Sequence, residues 1–411
     1  MTTGVADIAA ELTAPCVDVL PESTLEKVLA KADAEGRQLR VKLGVDPTTP
    51  DLHIGHAVVL QQLRRFQNAG HLAVLIIGDY TARIGDPSGR DKTRPVLTGE
   101  EIDANADTYR KQAFRIIDED QTELRNNGEW LSKLTSSEIF KLIRRITVAR
   151  ILERDDFKKR FVANEPISML ELMYPIMQGY DSVVVEADIE LGGTDQLYNL
   201  LLGRFLQGDY GRNYQQVVMT TPLLVGTDGT EKMSKSLGNY IAVEDSPEEM
   251  FGKTMSIPDA AMPEWFRYAT ALSKTEVDGW AERLTSGEVH HGEAKRALGR
   301  AIVERFHSAD AATRAEAHFD QVVRDKGTPD EIPEVALGDI ATNDAGLVFL
   351  PHLLTQHAGV ASNGEARRLL KQGGVRLDGD VMDAATLEVK PGMLAGAVLK
   401  VGKRRFLRIT P

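Results

Sequence analysis

Apolar residues alternate at Val41, Leu43 and Val45 within residues 38–45, and that two-residue period predicts a strand. From about 55 to 68, Val58, Val59, Leu63 and Phe66 fall near helical spacing, and Gly70 follows as a stop. Residues 72–78 are then an apolar run of the kind buried on both faces of a parallel sheet. Strand, helix and strand in such short succession predict a βαβ unit. Thr98 with Glu101, Thr135 with Glu138, and Ser246 with Glu249 have capping-box spacing and predict helix starts. A second α/β block follows, with a helix over 167–179 despite Pro175, an extended stretch at 183–185, a helix over about 195–206 and a strand over 217–224. Between the blocks, roughly 120–165 reads as a charged, mostly helical insertion. Residues from about 246 to 325 carry a helical pattern without a convincing strand, 327–345 read as a linker, and 347–411 as a small mixed module. The pattern predicts an α/β fold with three parts: a parallel-sheet domain over 1–240, a helical domain over 241–330 and an α+β module over 345–411.

Composition sharpens this picture in three ways. With 42% hydrophobic and 27% charged residues over 411 positions, the chain is globular rather than disordered. No stretch approaches the roughly 18 apolar residues of a membrane span, and the first residues lack a basic start followed by an apolar core, so a cytoplasmic protein is expected. The single cysteine, Cys16, excludes an internal disulfide and a cysteine-based zinc site. Net charge is −12, which taken alone argues against a polyanion partner. Residues 351–411, however, hold ten Lys/Arg against five Asp/Glu, an excess of +5 that leaves −17 on the remainder. A basic module on an acidic body suits local contact with a polyanion; a solvated basic surface is the alternative.

Two motifs carry the chemistry. His53-Ile54-Gly55-His56 opens a helix, where free N–H groups and the positive dipole end favour an anion. Gly55 leaves room for a nucleotide near the backbone, the two imidazoles share a helical face, and Thr48 adds a hydroxyl. Taken alone, such a pair of histidines is better explained by a cap and a surface residue. Metal spacing is a further reading, but no third ligand is evident and H-E-x-x-H is absent. After a turn-rich loop at 226–231 comes Lys232-Met233-Ser234-Lys235-Ser236, whose lysines are placed to neutralise a leaving pyrophosphate. Residues 85–93 end in Lys-Thr but break the Walker pattern at Arg90 and Asp91. HIGH after an early strand and KMSKS after a late one form the signature of class I aminoacyl-tRNA synthetases.

Over nearly its whole length the chain resembles the bacterial tyrosyl-tRNA synthetase family. The resemblance rests on LGVDPTTPDLHIGH (43–56), IGDPSGR (84–90), YPIMQGYD (174–181), LGGTDQ (191–196) and EKMSKS (231–236). It implies a Rossmann-like catalytic domain, with ATP and Mg2+ entering as a substrate complex and no tightly bound metal. Its expected catalytic residues are His53, His56, Thr48, Lys232 and Lys235. For tyrosine it implies Asp86, Tyr174 and Gln178 on the ammonium group with Thr81 nearby, Asp181 on the phenol hydroxyl, and Gln196 in the same pocket. For ATP it implies Gly44, Asp46, Gly55, Gly193, Asp195, Leu224, Val225, Met233 and Ser234. Helical spacing independently puts Tyr174, Gln178 and Asp181 on one face of an otherwise apolar segment, where burial is costly unless a ligand satisfies them. A solvent-facing polar stripe is the other reading.

One position departs from the better-known branch of the family, which has a tyrosine where this chain has Lys42. The Lys-Leu-Gly-x-Asp-Pro form with an intact KMSKS resembles a second bacterial branch, and throws phenol recognition onto Asp181. Residues 359–409 resemble an S-four-like RNA-binding module, implying tRNA contacts from Arg367, Arg368, Lys371, Arg376, Lys403, Arg404 and Arg405. Asp259 matches an anticodon-proximal position, with an ordinary helix cap as the alternative. The resemblance further implies tRNA(Tyr) and L-tyrosine as partners, a homodimer formed through 120–165, and neither DNA nor a membrane. Other readings at this stage are a tryptophanyl-tRNA synthetase, a tyrosine-activating paralogue with another acceptor, a HIGH-type nucleotidyltransferase unrelated to tRNA, and a non-catalytic RNA-binding homologue.

Overall fold

The computed structural model describes residues 4–48, 52–87, 98–324, 332–343, 345–382, 386–402 and 405–411. They form two compact units, Met1–Asp245 with Ser256–Leu298, and Ser246–Met255 with Gly299–Pro411.

The first unit is built on a six-stranded sheet ordered β1 (Asp18–Leu20), β6 (Val217–Thr221), β5 (Ile189–Gly193), β2 (Arg40–Val45), β3 (Leu72–Ile77) and β4 (Thr122–Asn126). Every pairing is parallel except β1 with β6. The apolar run becomes β3, buried from Ala73 to Ile77. The Ile54–Asn68 helix packs on β2, β3 and β5 and buries Ile54, Ala57, Leu60, Leu63 and Phe66. Chain order runs outward from β2 through β3 to β4 on one side, and through β5 to β6 on the other. Such a reversal opens a crevice beyond the carboxyl ends of the central strands, the usual ligand position in an open α/β sheet.

Several expectations shift. Residues 183–185 are not extended: a continuous helix, Met169–Val184, absorbs Val183, Val184 and Pro175, and Val185 caps it. β-branching at Val183 and Val184 points to a strand only locally, and packing of the helix against its Leu197–Asp209 neighbour overrides it. The strand expected over 217–224 stops at Thr221. Two edge strands escape the pattern: β1 has three residues, and β4 (Thr-Glu-Leu-Arg-Asn) is half-exposed and charged, as edges often are. Four short helices, Gly128–Leu131, Ser136–Ile143, Val148–Ile151 and Asp155–Val162, make up the rest of the insertion.

In the second unit, the Pro247–Thr254 and Ala309–Phe319 helices pack together, with Phe251 and Phe319 ring centroids 5.6 Å apart. A five-stranded sheet follows, ordered Asp380–Val381, Val375–Leu377, Val398–Val401, Arg405–Thr410 and Glu334–Ala336. The helices Leu350–His357 and Asn363–Lys371 share its core, through Leu350, Leu354, Ala366, Leu370, Leu399 and Ile409. The expected linker therefore contains a strand, Glu334–Ala336, parallel to Arg405–Thr410. Only Val335 of that strand is buried, too little to register as a period.

Candidate active site

A cleft of about 350 Å³ lies within the first unit, walled by the ends of β2, β3, β5 and β6, the Ile54–Asn68 and Met169–Val184 helices, and the 232–236 loop. It holds Thr48, His53, His56, Lys232 and Lys235 together with Asp86, Thr81, Tyr174, Gln178, Asp181 and Gln196. Gly44, Asp46, Gly55, Gly193, Asp195, Leu224, Met233 and Ser234 also line it. Val225 does not: its backbone bridges to Lys232, and alternation along that extended segment turns Leu224 inward instead.

At the HIGH end, the His53 backbone N–H donates to His56 Nδ1 at 3.3 Å. The ring nitrogen that accepts cannot carry the proton, so neutral His56 holds it on Nε2. Burial drives both imidazoles to the neutral form, His56 down to about 4 and His53 to about 2. The rings lie 3.9 Å apart, and His53 Nδ1 is buried without a hydrogen-bond partner, which suits a group awaiting a ligand. The expectation of free helix-end amides needs revision. The Ile54 N–H donates to the Ile241 carbonyl at 3.0 Å, and that of His56 to the His53 carbonyl at 2.9 Å. Two of the expected donors are thus already taken within the chain. Gly55 is required on steric grounds, since a Cβ there would lie 2.9 Å from His53 Nδ1.

Opposite, the KMSKS loop is pinned at its base. Met233 N–H donates to the Leu224 carbonyl at 2.9 Å, and Asn239 Oδ1 accepts from Ser234 N–H at 2.7 Å. Asn239 Nδ2 donates to Asp228 Oδ2 at 2.7 Å, tying the turn to the loop. Lys232 Nζ reaches Asp195 Oδ2 at 3.4 Å. Burial raises the Asp195 carboxyl, and Lys232 opposes that rise.

The third wall is the polar face of the Met169–Val184 helix. Tyr174 and Asp181 are buried, so the solvent-facing reading fails. Tyr174 Oη donates to Asp46 Oδ2 at 2.8 Å and Thr81 Oγ1 to Asp46 Oδ1 at 2.8 Å, which joins Asp46 to the amino-acid group rather than the nucleotide group. Asp181 accepts from Trp130 Nε1 at 2.8 Å and Asn127 Nδ2 at 3.2 Å. Burial, reinforced by neighbouring acids, raises Asp46 to about 7, and burial likewise raises Asp181 to about 7. Gln196 Nε2 donates to Asp86 Oδ2 at 2.8 Å, at the Asp86 end rather than beside Asp181.

Lys42 lies outside the cleft wall. It is fully buried on β2, facing its cross-strand neighbour Glu190 on β5. Its Nζ donates to Glu190 Oε1 at 2.6 Å, Ser182 Oγ at 2.7 Å and the Gln178 carbonyl at 3.1 Å. Glu190 accepts further bonds from Ser182 and Gln216. All three ammonium protons are thus satisfied, and the helix bearing Gln178 and Asp181 is tied to the sheet.

Reasoning from sequence missed Asn127, Trp130, Asn199, Gly78 and Asn239. Asn127 stands at the carboxyl end of β4, so the unrecognised edge strand concealed it. A Cβ on Gly78 would overlap the Asp46 carboxylate and lie 2.4 Å from Thr81 Oγ1. Of the residues expected to contact tRNA, Arg367, Arg368, Lys371 and Arg376 are exposed around the Asn363–Lys371 helix and the strand after it, and Arg405 is half-buried. Lys403 and Arg404 lie outside the described residues, as do residues 88–93 of the Walker-like segment. Asp259 is exposed and paired with Lys295 Nζ at 2.6 Å and His291 Nδ1 at 3.0 Å.

A parallel sheet with a phosphate-type motif at each side of its crevice defines an adenylate-forming synthetase site. Residues 34–324 match the tRNA synthetases class I (W and Y), and the chain belongs to that family. It is 49% identical over 392 residues to the tyrosine–tRNA ligase of Moorella thermoacetica, covering 95% of this chain and 93% of the relative. It is 47% identical over 406 residues to that of Geobacter sulfurreducens, covering 99% of each. Among solved structures, the C-terminally truncated mitochondrial tyrosyl-tRNA synthetase of Aspergillus nidulans superposes with a TM-score of 0.63 at 22% identity, over 77% of this chain and 94% of that one. The Archaeoglobus fulgidus tyrosyl-tRNA synthetase complexed with L-tyrosine gives 0.61 at 23% identity, over 76% and 99%. At those identities the likeness is one of fold. No described helix is long and apolar enough to cross a membrane.

Proposed function

We infer that the chain is a tyrosine–tRNA ligase, an enzyme that activates L-tyrosine with ATP and transfers it to the 3′ end of tRNA(Tyr). The observation that carries this reading is one cleft walled both by the HIGH and KMSKS side chains and by the Tyr174–Gln178–Asp181 face. In the first step a tyrosine carboxylate oxygen bonds to the α-phosphorus of ATP. The bond from that phosphorus to the bridging oxygen breaks, and its electron pair leaves on pyrophosphate. The carboxylate is already ionised, so catalysis is positioning and charge stabilisation. His53, His56, Thr48, Lys232 and Lys235 take the phosphates, and Mg2+ arrives with ATP. Gly193 and Asp195 suit the ribose, and Leu224 and Met233 the base. In the second step a terminal ribose hydroxyl of tRNA attacks the adenylate carbonyl and AMP leaves.

At the amino-acid end, Asp86, Tyr174 and Gln178 take the ammonium and Asp181 the phenol hydroxyl. Asp46, raised to about 7 and bonded to Tyr174, is partly protonated at pH 6.5, and an arriving ammonium favours its anion. Tyrosine binding at pH 6.5 should therefore release on the order of half a proton to buffer, and far less at pH 8. Calorimetry in buffers of different ionisation enthalpy measures this; heats independent of buffer at pH 6.5 would contradict the assignment.

Around this core, the 241–330 part is assigned to the anticodon and the 345–411 module to the tRNA through Arg367, Arg368, Lys371, Arg376, Lys403, Arg404 and Arg405. An anticodon role for Asp259 has to share its carboxylate with Lys295. Exposed Phe140, Val148, Phe161, Val162, Met169 and Leu170 in and beside the insertion support a homodimer. Light scattering should then give twice the chain mass, falling toward the monomer in Phe161→Glu/Val162→Glu; an unchanged mass would exclude this face. The activity itself is tested by charging purified tRNA with labelled tyrosine. Failure to label tRNA(Tyr) while adenylate still forms would leave an amino-acid-activating enzyme with another acceptor.

A further inference from the structure

Arg154 belongs to none of the motifs and does not line the cleft, yet it is buried at 5% exposure directly behind the amino-acid end. It precedes the Asp155–Val162 helix, so it comes from the insertion rather than the sheet. Its Nε pairs with Asp156 Oδ1 at 2.8 Å, Nη1 donates to Asn199 Oδ1 at 2.9 Å, and Nη2 lies 3.6 Å from Asp86 Oδ1. Asn199, 1% exposed, donates its Nδ2 to Gln178 Oε1 at 2.8 Å and to Gln196 Oε1 at 3.0 Å. Gln196 in turn gives its Nε2 to Asp86.

We propose that Arg154 is a positioning residue that sets the hydrogen-bond polarity of the ammonium pocket through Asn199. A guanidinium only donates. The Asn199 group facing it must therefore be the carbonyl, which turns the Asn199 amide nitrogen toward Gln178 and Gln196. Their carbonyl oxygens must then face Asn199, and the Gln196 nitrogen faces the Asp86 carboxylate. Reversing any one amide sets donor against donor or acceptor against acceptor in a buried site. Without Arg154 the Asn199 carbonyl loses its buried donor, and the Asp86 carboxylate alone holds the amide polarity from the far end. The Gln178 amide, which takes the ammonium, is then no longer held in one orientation.

This inference rests on tyrosine being the substrate, and the test separates the two ideas. Arg154→Met and Arg154→Lys are compared with the unmodified chain for binding of tyrosine, tyramine (ammonium without carboxylate) and 3-(4-hydroxyphenyl)propanoate (carboxylate without ammonium). Arg154→Met is expected to weaken tyrosine and tyramine about 10- to 100-fold. The deaminated acid should change less than about twofold, which also reports an intact fold. In pyrophosphate exchange the KM for tyrosine rises with kcat nearly unchanged, and Arg154→Lys, which keeps a donor for Asn199, recovers part of the loss. Equal weakening of all three ligands, or none for the two amines, would overturn the proposal. Absence of tyrosine binding by the unmodified chain would instead overturn the substrate reading.

Discussion

Lys235→Ala and His56→Ala are each expected to slow tyrosine-dependent ATP–pyrophosphate exchange by about 10²- to 10³-fold, the usual cost of one preorganised donor on developing charge. The reason lies in where these groups stand. His56 is neutral, half-buried and fixed as a donor at Nε2, and Lys235 lies on the loop across the cleft. Both belong to the phosphate group of the cleft and not to its Asp86–Gln178–Asp181 group, so equilibrium binding of tyrosine should stay within about twofold. Exchange kinetics at saturating tyrosine, with binding measured separately, check both halves. A comparable loss in tyrosine affinity would move these residues out of the phosphate site. Because burial holds both histidines neutral, kcat should also show no inflection near the ordinary imidazole value of about 6.5.

The second large effect falls on stability. Lys42→Met strands the Glu190 carboxylate at 1% exposure with only Ser182 and Gln216 as donors. Removing one partner of a buried pair typically costs about 3–5 kcal/mol, because the other charge remains. Lys42→Met/Glu190→Leu removes both charges and should recover most of that loss in denaturant unfolding. If the double variant is as unstable as the single one, the Ser182 and Gln178 contacts matter more than the charge pair. The position that marks this branch of the family is therefore a brace between sheet and helix, and not a ligand for the phenol.

Much of the site was legible in the sequence because its residues lie in contiguous motifs at strand ends and on one helical face. Spacing alone joined Tyr174 to Gln178 and Asp181, and order along the chain joined HIGH to KMSKS. What escaped notice comes from places without a period. Asn127 and Trp130 follow a half-exposed edge strand, and Arg154 is a single residue between two short helices. Asn199 lies in a helix among apolar neighbours, where one amide carries no signal. Lys42 was visible as a departure, but its partners Ser182 and Glu190 are 140 or more positions away, a distance closed only by the sheet. Two errors had the same root. Local β-branching at 183–185 and local polarity at 327–345 were outweighed by packing with distant segments.

The most direct test of the whole account is ATP–pyrophosphate exchange with each of the twenty amino acids. A cleft with buried Asp181 at one end and HIGH and KMSKS at the other predicts exchange with tyrosine, and background rates with phenylalanine and tryptophan. Exchange with tryptophan equal to that with tyrosine, or with no amino acid at all, would contradict it.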